Sequence, residues 1–144
     1  MELQNLVEFS ITRSNEPFIT CSSESLFLDE PVFDLFLSCF EKSNKLFDYN
    51  EPTKYNTRKI FPLLNELKSF EKEIESLKSQ DSFTDFLKKK SMGLQFLEHV
   101  EKDDPNWKVN WKKYRQEITD VCQKFISLVN RCCTEDKVLW VKGY

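Results

Sequence analysis

Few side chains in this sequence have both the type and the spacing that catalysis requires. The single histidine, His99, follows Glu98, but adjacent residues of a helix point in different directions. Cys122 lies within an apolar helical pattern, where burial would raise the pKa of its thiol and make it inert. The carboxylate pair Asp103–Asp104 precedes a proline, and helix capping explains it. We therefore predict no catalytic residue and expect that the protein is not an enzyme.

The composition also argues against the common cofactor and metal sites. Gly93 and Gly143 are the two glycines in 144 residues, and phosphate-binding loops depend on glycine. The five cysteines and His99 lack the paired short spacings of a zinc site. We predict no metal and no cofactor. A small enzyme that uses His99 or a cysteine remains an alternative, but no set of residues supports it.

Acidic residues are concentrated in the first third of the chain. The 24 acidic and 21 basic residues give a net charge of −3, which argues against a nucleic-acid partner. Residues 1–52 carry ten Asp or Glu and three Lys or Arg, a net charge of −7, and the remaining residues have a net charge of +4. This asymmetry favours a surface that attracts a basic partner. The alternative is a solvated acidic face that aids solubility.

The candidate partner-binding residues come from this acidic third and from the segment that follows it. Residues 48–56 are polar, contain Pro52 and form the longest predicted internal loop. Tyr49 and Tyr55 are expected to be exposed there, where they would add rigid contact area beside acidic charge. The predicted binding residues are Glu24, Asp29, Glu30, Asp34, Asp48, Tyr49, Glu51 and Tyr55.

Both ends of the chain contain strand patterns. Val7, Phe9 and Ile11 alternate with polar residues, which predicts a half-buried strand. A turn at residues 14–17 and a return strand at 18–21 would complete a hairpin. Residues 137–141 are rich in β-branched and aromatic residues, and we expect this third strand to join the hairpin in one antiparallel sheet.

The middle of the chain has helical periodicity. Pro62 requires a late start or a kink in the second predicted helix, and a break is expected near Ser91-Met92-Gly93 in the third. The four predicted helices cover approximately residues 30–46, 57–77, 82–100 and 104–132, the last opening at Asp104-Pro105. The predicted fold is mainly α (α+β), a four-helix bundle with a small antiparallel sheet, in a single domain over residues 1–144.

The start of the sequence bears on the expected compartment. MELQNLVEF lacks the basic and apolar segments of a signal peptide, and no apolar run reaches the ~18 residues of a membrane span. We expect a cytoplasmic protein with reduced thiols and no membrane partner.

Two parts of the sequence are similar to small helical proteins encoded beside toxins. Residues 137–144, KVLWVKGY, resemble the endings of small bacterial proteins in which a Leu-Trp-Val strand precedes a terminal glycine and one apolar residue. Residues 27–30 lead into a Phe-rich helix, and residues 47–49 precede a Pro-containing loop. In these features the chain resembles immunity proteins of contact-dependent growth inhibition and related interbacterial toxin systems.

The resemblance implies a role rather than a set of residues. It implies a cytosolic bacterial protein that binds a cognate toxin domain, such as a nuclease, and neutralises it as a monomer or in a 1:1 complex. The acidic residues named above would then face a basic cleft of the toxin. The alternative is a phage-encoded or regulatory adaptor that binds a host protein.

Overall fold

The computed structural model describes residues 3–144, which form an α+β structure. Within that range there are six helices and one four-stranded antiparallel sheet with the strand order β2-β1-β4-β3. In chain order the elements are β1 (Leu6–Arg13), β2 (Leu26–Asp29), α1 (Glu30–Asp34), α2 (Leu37–Ser43), β3 (Thr53–Tyr55), α3 (Thr57–Glu75), α4 (Gln80–Lys88), α5 (Gly93–Asp103), α6 (Trp111–Glu135) and β4 (Lys137–Gly143). The predicted α+β class is confirmed, whereas a bundle of four helices is not what the chain forms.

The two ends of the chain meet at the centre of the sheet. β1 and β4 pair antiparallel, with Phe9 opposite Val141 and Thr12 opposite Val138. Phe9 and Val141 are buried on the face of the sheet that packs against the helices. The prediction that both ends share one sheet is therefore confirmed.

The predicted return strand at residues 18–21 is wrong. β1 instead pairs with β2, and Ile19 is 54% exposed. Cys21 adopts a left-handed backbone conformation with φ of 54°, and its amide donates a hydrogen bond to the Glu8 carboxylate at 2.7 Å. The segment between β1 and β2 also places Phe18 against Trp140 of β4, with ring centroids 6.0 Å apart. It covers the second face of the sheet instead of extending the sheet.

Because this segment covers the sheet, β1 is buried on both faces. Glu8, Ser10 and Thr12 are almost inaccessible to solvent, although their alternation with apolar residues predicted an exposed polar face. Thr12 is satisfied by Trp140, whose indole Nε1–H donates to its hydroxyl at 2.8 Å. The period of two correctly indicated the strand but not the layer that covers its polar side.

The first predicted helix is divided in two. α1 ends at Asp34 and α2 begins at Leu37, because the amides of Leu35 and Phe36 bond to carbonyls three residues earlier. Four consecutive residues from Phe33 to Phe36 are buried, which exceeds the width of one face of a straight helix. The break rotates the chain so that Phe33, Leu35 and Phe36 all join the core.

The loop predicted at residues 48–56 contains a strand. β3 pairs with β4, with Tyr55 opposite Leu139. Asn56 then caps α3, because its side-chain oxygen accepts hydrogen bonds from the amides of Arg58 and Lys59. α3 begins at Thr57, so Pro62 lies inside it.

The third and fourth predicted helices also differ from the structure. The expected break near Ser91-Met92-Gly93 is confirmed and separates α4 from α5. The helix start predicted at Asp104-Pro105 is wrong, because α6 begins at Trp111. Asp104 instead stabilises the turns that precede α6, because its carboxylate accepts hydrogen bonds from the Asn106 amide, the Asn110 side chain and the Tyr114 hydroxyl.

Aromatic rings fill the space between the sheet and helices α2, α3 and α6. Phe9 and Phe125 have ring centroids 4.9 Å apart, and those of Phe36 and Phe70 are 4.2 Å apart. Cys122 is fully buried beside them, its thiol lies 3.4 Å from the Leu67 carbonyl, and burial raises its pKa to about 12. The prediction of a core thiol at this position is confirmed.

Candidate partner-binding site

Two adjoining clefts open on the side of the molecule that carries α1. The first cleft, of about 770 Å³, lies between the start of α1, α5 and the start of α6. The second cleft, of about 650 Å³, lies between α1, α2 and the loop after α2. Glu30 and Met92 line both clefts, which therefore form one continuous surface that we call the acidic groove.

Carboxylates dominate the charged residues of the acidic groove. In the described part of the chain no lysine or arginine lines either cleft, and His99 is the remaining basic side chain. Apolar residues such as Val32, Leu37 and Phe96 line the groove between the charges. The lining carboxylates are Asp29, Glu30, Asp34, Glu41, Asp48, Asp103 and Glu117. A surface of this composition attracts cations and basic side chains.

The junction of β2 and α1 positions the centre of the groove. Asp29 is the last residue of β2, and Glu30 and Asp34 are the first and last residues of α1. The Glu30 amide donates to the Asn5 carbonyl at 2.9 Å, and Pro31 stabilises the start of the helix. Because Glu30 and Asp34 are four residues apart, their side chains share one helix face.

Asp34 is the most deeply placed carboxylate of the second cleft. It is 6% exposed, and none of the four ion pairs found among the described residues includes it. Burial, with the Glu30 and Glu41 carboxylates nearby, raises its pKa from 3.8 to about 6. Among the described residues, no cationic side chain is therefore paired with the Asp34 carboxylate in the groove.

Tyr49 forms the wall between the second cleft and the end of the sheet. Its ring packs against Phe33, with centroids 6.5 Å apart, and occupies the space in which a side chain at position 143 would lie. Its carbonyl accepts a hydrogen bond from the Gly143 amide at 2.9 Å. Its hydroxyl is buried and has no hydrogen-bond partner among residues 3–144, and burial together with the Glu30 carboxylate raises its pKa.

Exposed apolar side chains accompany the charges at the second cleft. Leu46 is 80% exposed, and Met92 is 38% exposed. Met92 adopts a left-handed backbone conformation with φ of 58°, which is unfavourable for a residue other than glycine. The next residue, Gly93, lies so close to the Leu87 carbonyl that a Cβ would clash with it. The tight turn into α5 thus presents Met92 where the two clefts meet.

His99 is exposed on α5 and lines the first cleft. None of the ion pairs in the described range includes it. Across residues 3–144 no three His, Cys, Asp or Glu side chains form a group that could hold a metal ion. What the acidic groove offers chemically is therefore an array of negative charges with apolar contacts between them.

The groove brings together five of the eight predicted binding residues. The other three lie elsewhere. Glu24 is exposed and its carboxylate lies 3.7 Å from the Arg131 guanidinium, and Glu51 is exposed but outside the lining of the groove. The five residues that line the groove are Asp29, Glu30, Asp34, Asp48 and Tyr49.

The interpretation of Tyr55 as an exposed anchor is wrong. Tyr55 is fully buried, and its hydroxyl donates to the Phe40 carbonyl at 2.6 Å. The pairing of β3 with β4 turns its ring into the core, where it packs edge-on against Phe40 with centroids 5.8 Å apart. The burial of Tyr55 could not be predicted from the sequence, because the surrounding segment is polar in composition.

Sequence reasoning missed the part of the groove that α2, α5 and α6 contribute. Glu41 follows Glu30 and Asp34 at helical spacings and could have been found from that pattern. Asp103 and Glu117 belong to the net-positive part of the chain, so the charge distribution gave no signal for them. Met92 could be placed only by the turn into α5.

Comparison of the chain with protein-family models, curated proteins and solved structures finds no match. Among the described residues, no helix combines the length and the apolar character needed to cross a bilayer.

Proposed function

We propose that this protein is an immunity-type inhibitor that binds a cognate protein toxin in a 1:1 complex through the acidic groove. The observation that carries the proposal is the run of seven carboxylates across two joined clefts, which no lysine or arginine of the described residues interrupts. The resemblance of the sequence to immunity proteins of interbacterial toxin systems gives the partner its class.

A basic toxin surface fits the groove electrostatically. Opposite charges accelerate association and orient the two proteins before contact. A nuclease toxin has a basic cleft for its phosphate substrate, and carboxylates that enter this cleft would exclude the substrate. Asp29, Glu30 and Asp48 lie at accessible positions of the groove for this contact.

Apolar contacts would supply affinity that charge alone does not provide. Interfaces are enriched in methionine and aromatic residues at the centre and polar at the rim. Met92 and Leu46 are exposed beside the carboxylates and would lose that exposure in a complex. This combination of carboxylates with exposed apolar side chains supports a binding surface rather than an acidic face that aids solubility.

The direct test is to purify the chain together with the product of the adjacent reading frame and to measure binding by calorimetry at low and moderate salt. We expect a 1:1 complex and loss of the toxin's activity in that complex. Failure to form a complex at either salt concentration would contradict the proposal. A complex that survives reversal of Glu30 and Glu41 to lysine unchanged would show that the binding surface lies elsewhere.

A further inference from the structure

The second cleft has features that go beyond general attraction of a basic partner. Asp34 lines this cleft, is only 6% exposed, and belongs to no ion pair of the described residues. Glu30, Glu41, Asp48 and Tyr49 line the same cleft. No basic side chain from α1, α2, α5 or the loop after α2 is among the residues that line this cleft.

Burying a carboxylate in this way is unfavourable unless a cation or hydrogen-bond donors compensate it. Its environment raises the pKa of Asp34 to about 6, so near neutral pH the group is mostly ionised and still lacks a counterion. The Tyr49 hydroxyl is a second buried polar group, which forms no hydrogen bond of standard geometry among residues 3–144, although the nearby Glu30 carboxylate helps to raise its pKa. Asp34 and Tyr49 belong to the lining of one cleft, and a ligand that carries positive charge and several donors would compensate the Asp34 carboxylate.

We propose that the second cleft binds a single arginine side chain of the partner, with the guanidinium on Asp34 and the carbon stem against Leu37 and Phe47. This inference rests on the proposed function for the source of the arginine, which is an exposed residue of the bound protein. It makes Asp34 the anchor of the interface, and Glu30, Glu41 and Asp48 the residues that surround the bound charge.

The chemistry of the cleft favours arginine over the other cations. A guanidinium is planar, always charged and has five N–H donors, so it can contact carboxylates that are spread along a wall. The carboxylates of the cleft do not form a group that could hold a metal ion in the described structure. An ammonium group is compact and more strongly hydrated, and it cannot contact Asp34 and a second carboxylate with the same fixed geometry. The apolar stem of arginine also matches the lining residues Leu37 and Phe47.

The first experiment uses small probes and needs no partner protein. The titration of the Asp34 carboxyl carbon is followed by NMR with and without N-acetyl-arginine methylamide, and with the citrulline and lysine derivatives as matched probes. We expect the arginine probe to lower the midpoint, the lysine probe to lower it less, and the uncharged citrulline probe to leave it unchanged. An unchanged midpoint with arginine, or an equal effect of lysine or citrulline, would overturn the inference.

The second experiment uses the complex with the product of the adjacent reading frame. Asp34→Asn keeps the shape of the side chain, and Asp85→Asn removes an exposed carboxylate of α4 that does not line the groove. Because the loss of one member of a buried charge pair is costly, we expect Asp34→Asn to raise the dissociation constant about 30-fold or more. The Asp85→Asn change should remain within about twofold, and melting curves establish that both variants are folded.

The two experiments separate the inference from the proposed function. If the Asp34→Asn variant binds the toxin as tightly as the wild type, the role of Asp34 is wrong, but the inhibitor proposal is not contradicted. Absence of any complex, combined with a specific response of Asp34 to the arginine probe, would overturn the inhibitor proposal and leave the specificity of the cleft standing.

Discussion

The ring of Tyr49 lies where a side chain on Gly143 would have to be. A Cβ at position 143 would clash with three atoms of that ring, while the Gly143 amide donates to the Tyr49 carbonyl at 2.9 Å. The last strand of the sheet is thereby packed directly against a wall of the second cleft. The glycine is needed for close approach and not for an unusual backbone angle, because no glycine of the described chain has a positive φ.

Gly143→Ala should therefore destabilise the protein and disturb the second cleft. Overpacking of this kind costs about 1–3 kcal/mol in the free energy of unfolding, which urea denaturation would measure. The matched control is the same change in a Tyr49→Leu background, where the ring is absent and the cost of the alanine should fall. Equal costs in the two backgrounds would show that the contact between these two residues does not determine the requirement for glycine.

The carboxylate of Glu8 links the C-terminal residue to the segment that covers the sheet. It accepts hydrogen bonds from the Cys21 amide at 2.7 Å, the Ser25 hydroxyl at 2.6 Å and the Tyr144 hydroxyl at 2.7 Å. Burial and the neighbouring Glu8 carboxylate raise the pKa of Tyr144 to about 12, so Tyr144 remains a donor at neutral pH. The network explains how a carboxylate with no exposed surface is tolerated in the sheet.

Removal of one donor from this network tests its contribution. Tyr144→Phe should lower the free energy of unfolding by about 1.5–3 kcal/mol, the range for a hydrogen bond to a charged group. Tyr114→Phe is the matched control, because its hydroxyl also donates to a carboxylate, that of Asp104, which is partly exposed whereas Glu8 is fully buried. We expect the control to cost less. A cost for Tyr114→Phe equal to or above that for Tyr144→Phe would contradict the role assigned to burial.

The two chain ends illustrate what could be predicted from the sequence. Alternating and β-branched residues identified β1 and β4, and their apolar sides favoured a shared sheet, so membership of both strands in one sheet could be predicted from local pattern. The order of the strands could not be predicted: residues 18–21 have the composition of a strand but cross over the sheet, and β1 pairs with β2 and β4 instead. The composition of the segment favoured a strand, and its hydrogen bond to Glu8 fixed a different path.

The candidate site could likewise be predicted from the sequence only in part. The acidic character of α1 could be predicted, because charge is a property of composition. The different positions of Tyr49 and Tyr55 could not be predicted, since only five residues of polar sequence separate the groove wall from the core residue. The contributions of Asp103 and Glu117 depend on how α5 and α6 fold back towards α1, which is a property of the tertiary structure.

Asp34→Asn should stabilise the free protein near neutral pH while it weakens partner binding. The raised pKa of Asp34 means that folding favours the protonated form, so between pH 4 and 6 the folded state binds more protons than the unfolded state. Wild-type stability should therefore fall as the pH rises through this window. The amide variant avoids the buried charge and should gain on the order of 1–2 kcal/mol at pH 7, with no such decline.

Denaturation of both proteins at pH 4.5 and pH 7 measures this difference. The gap between variant and wild type should be larger at pH 7 than at pH 4.5, where Asp34 of the wild type is mostly protonated. A variant that is less stable than the wild type at pH 7 would mean that the carboxylate is compensated within the protein. It would also remove the argument that the second cleft lacks a cation.

The accessible carboxylates of the acidic groove should affect the rate at which the partner associates more than the rate at which it dissociates. Glu30→Lys combined with Glu41→Lys reverses two carboxylates of the second cleft, and a steered association would slow at least tenfold at low salt. The difference should shrink as salt is added, because exposed charges are screened beyond roughly 8 Å at physiological ionic strength. Stopped-flow mixing with the product of the adjacent reading frame measures both effects.

A charge change outside the groove separates local steering from the effect of net charge. Glu101 on α5 and Asp85 on α4 are exposed, and neither lines either cleft. Replacing both with lysine changes the total charge by the same amount at positions away from the groove. If the groove directs association, Glu101→Lys with Asp85→Lys should slow it by less than threefold. Equal slowing by the two double variants would mean that the overall charge of the protein, rather than the arrangement around α1, attracts the partner.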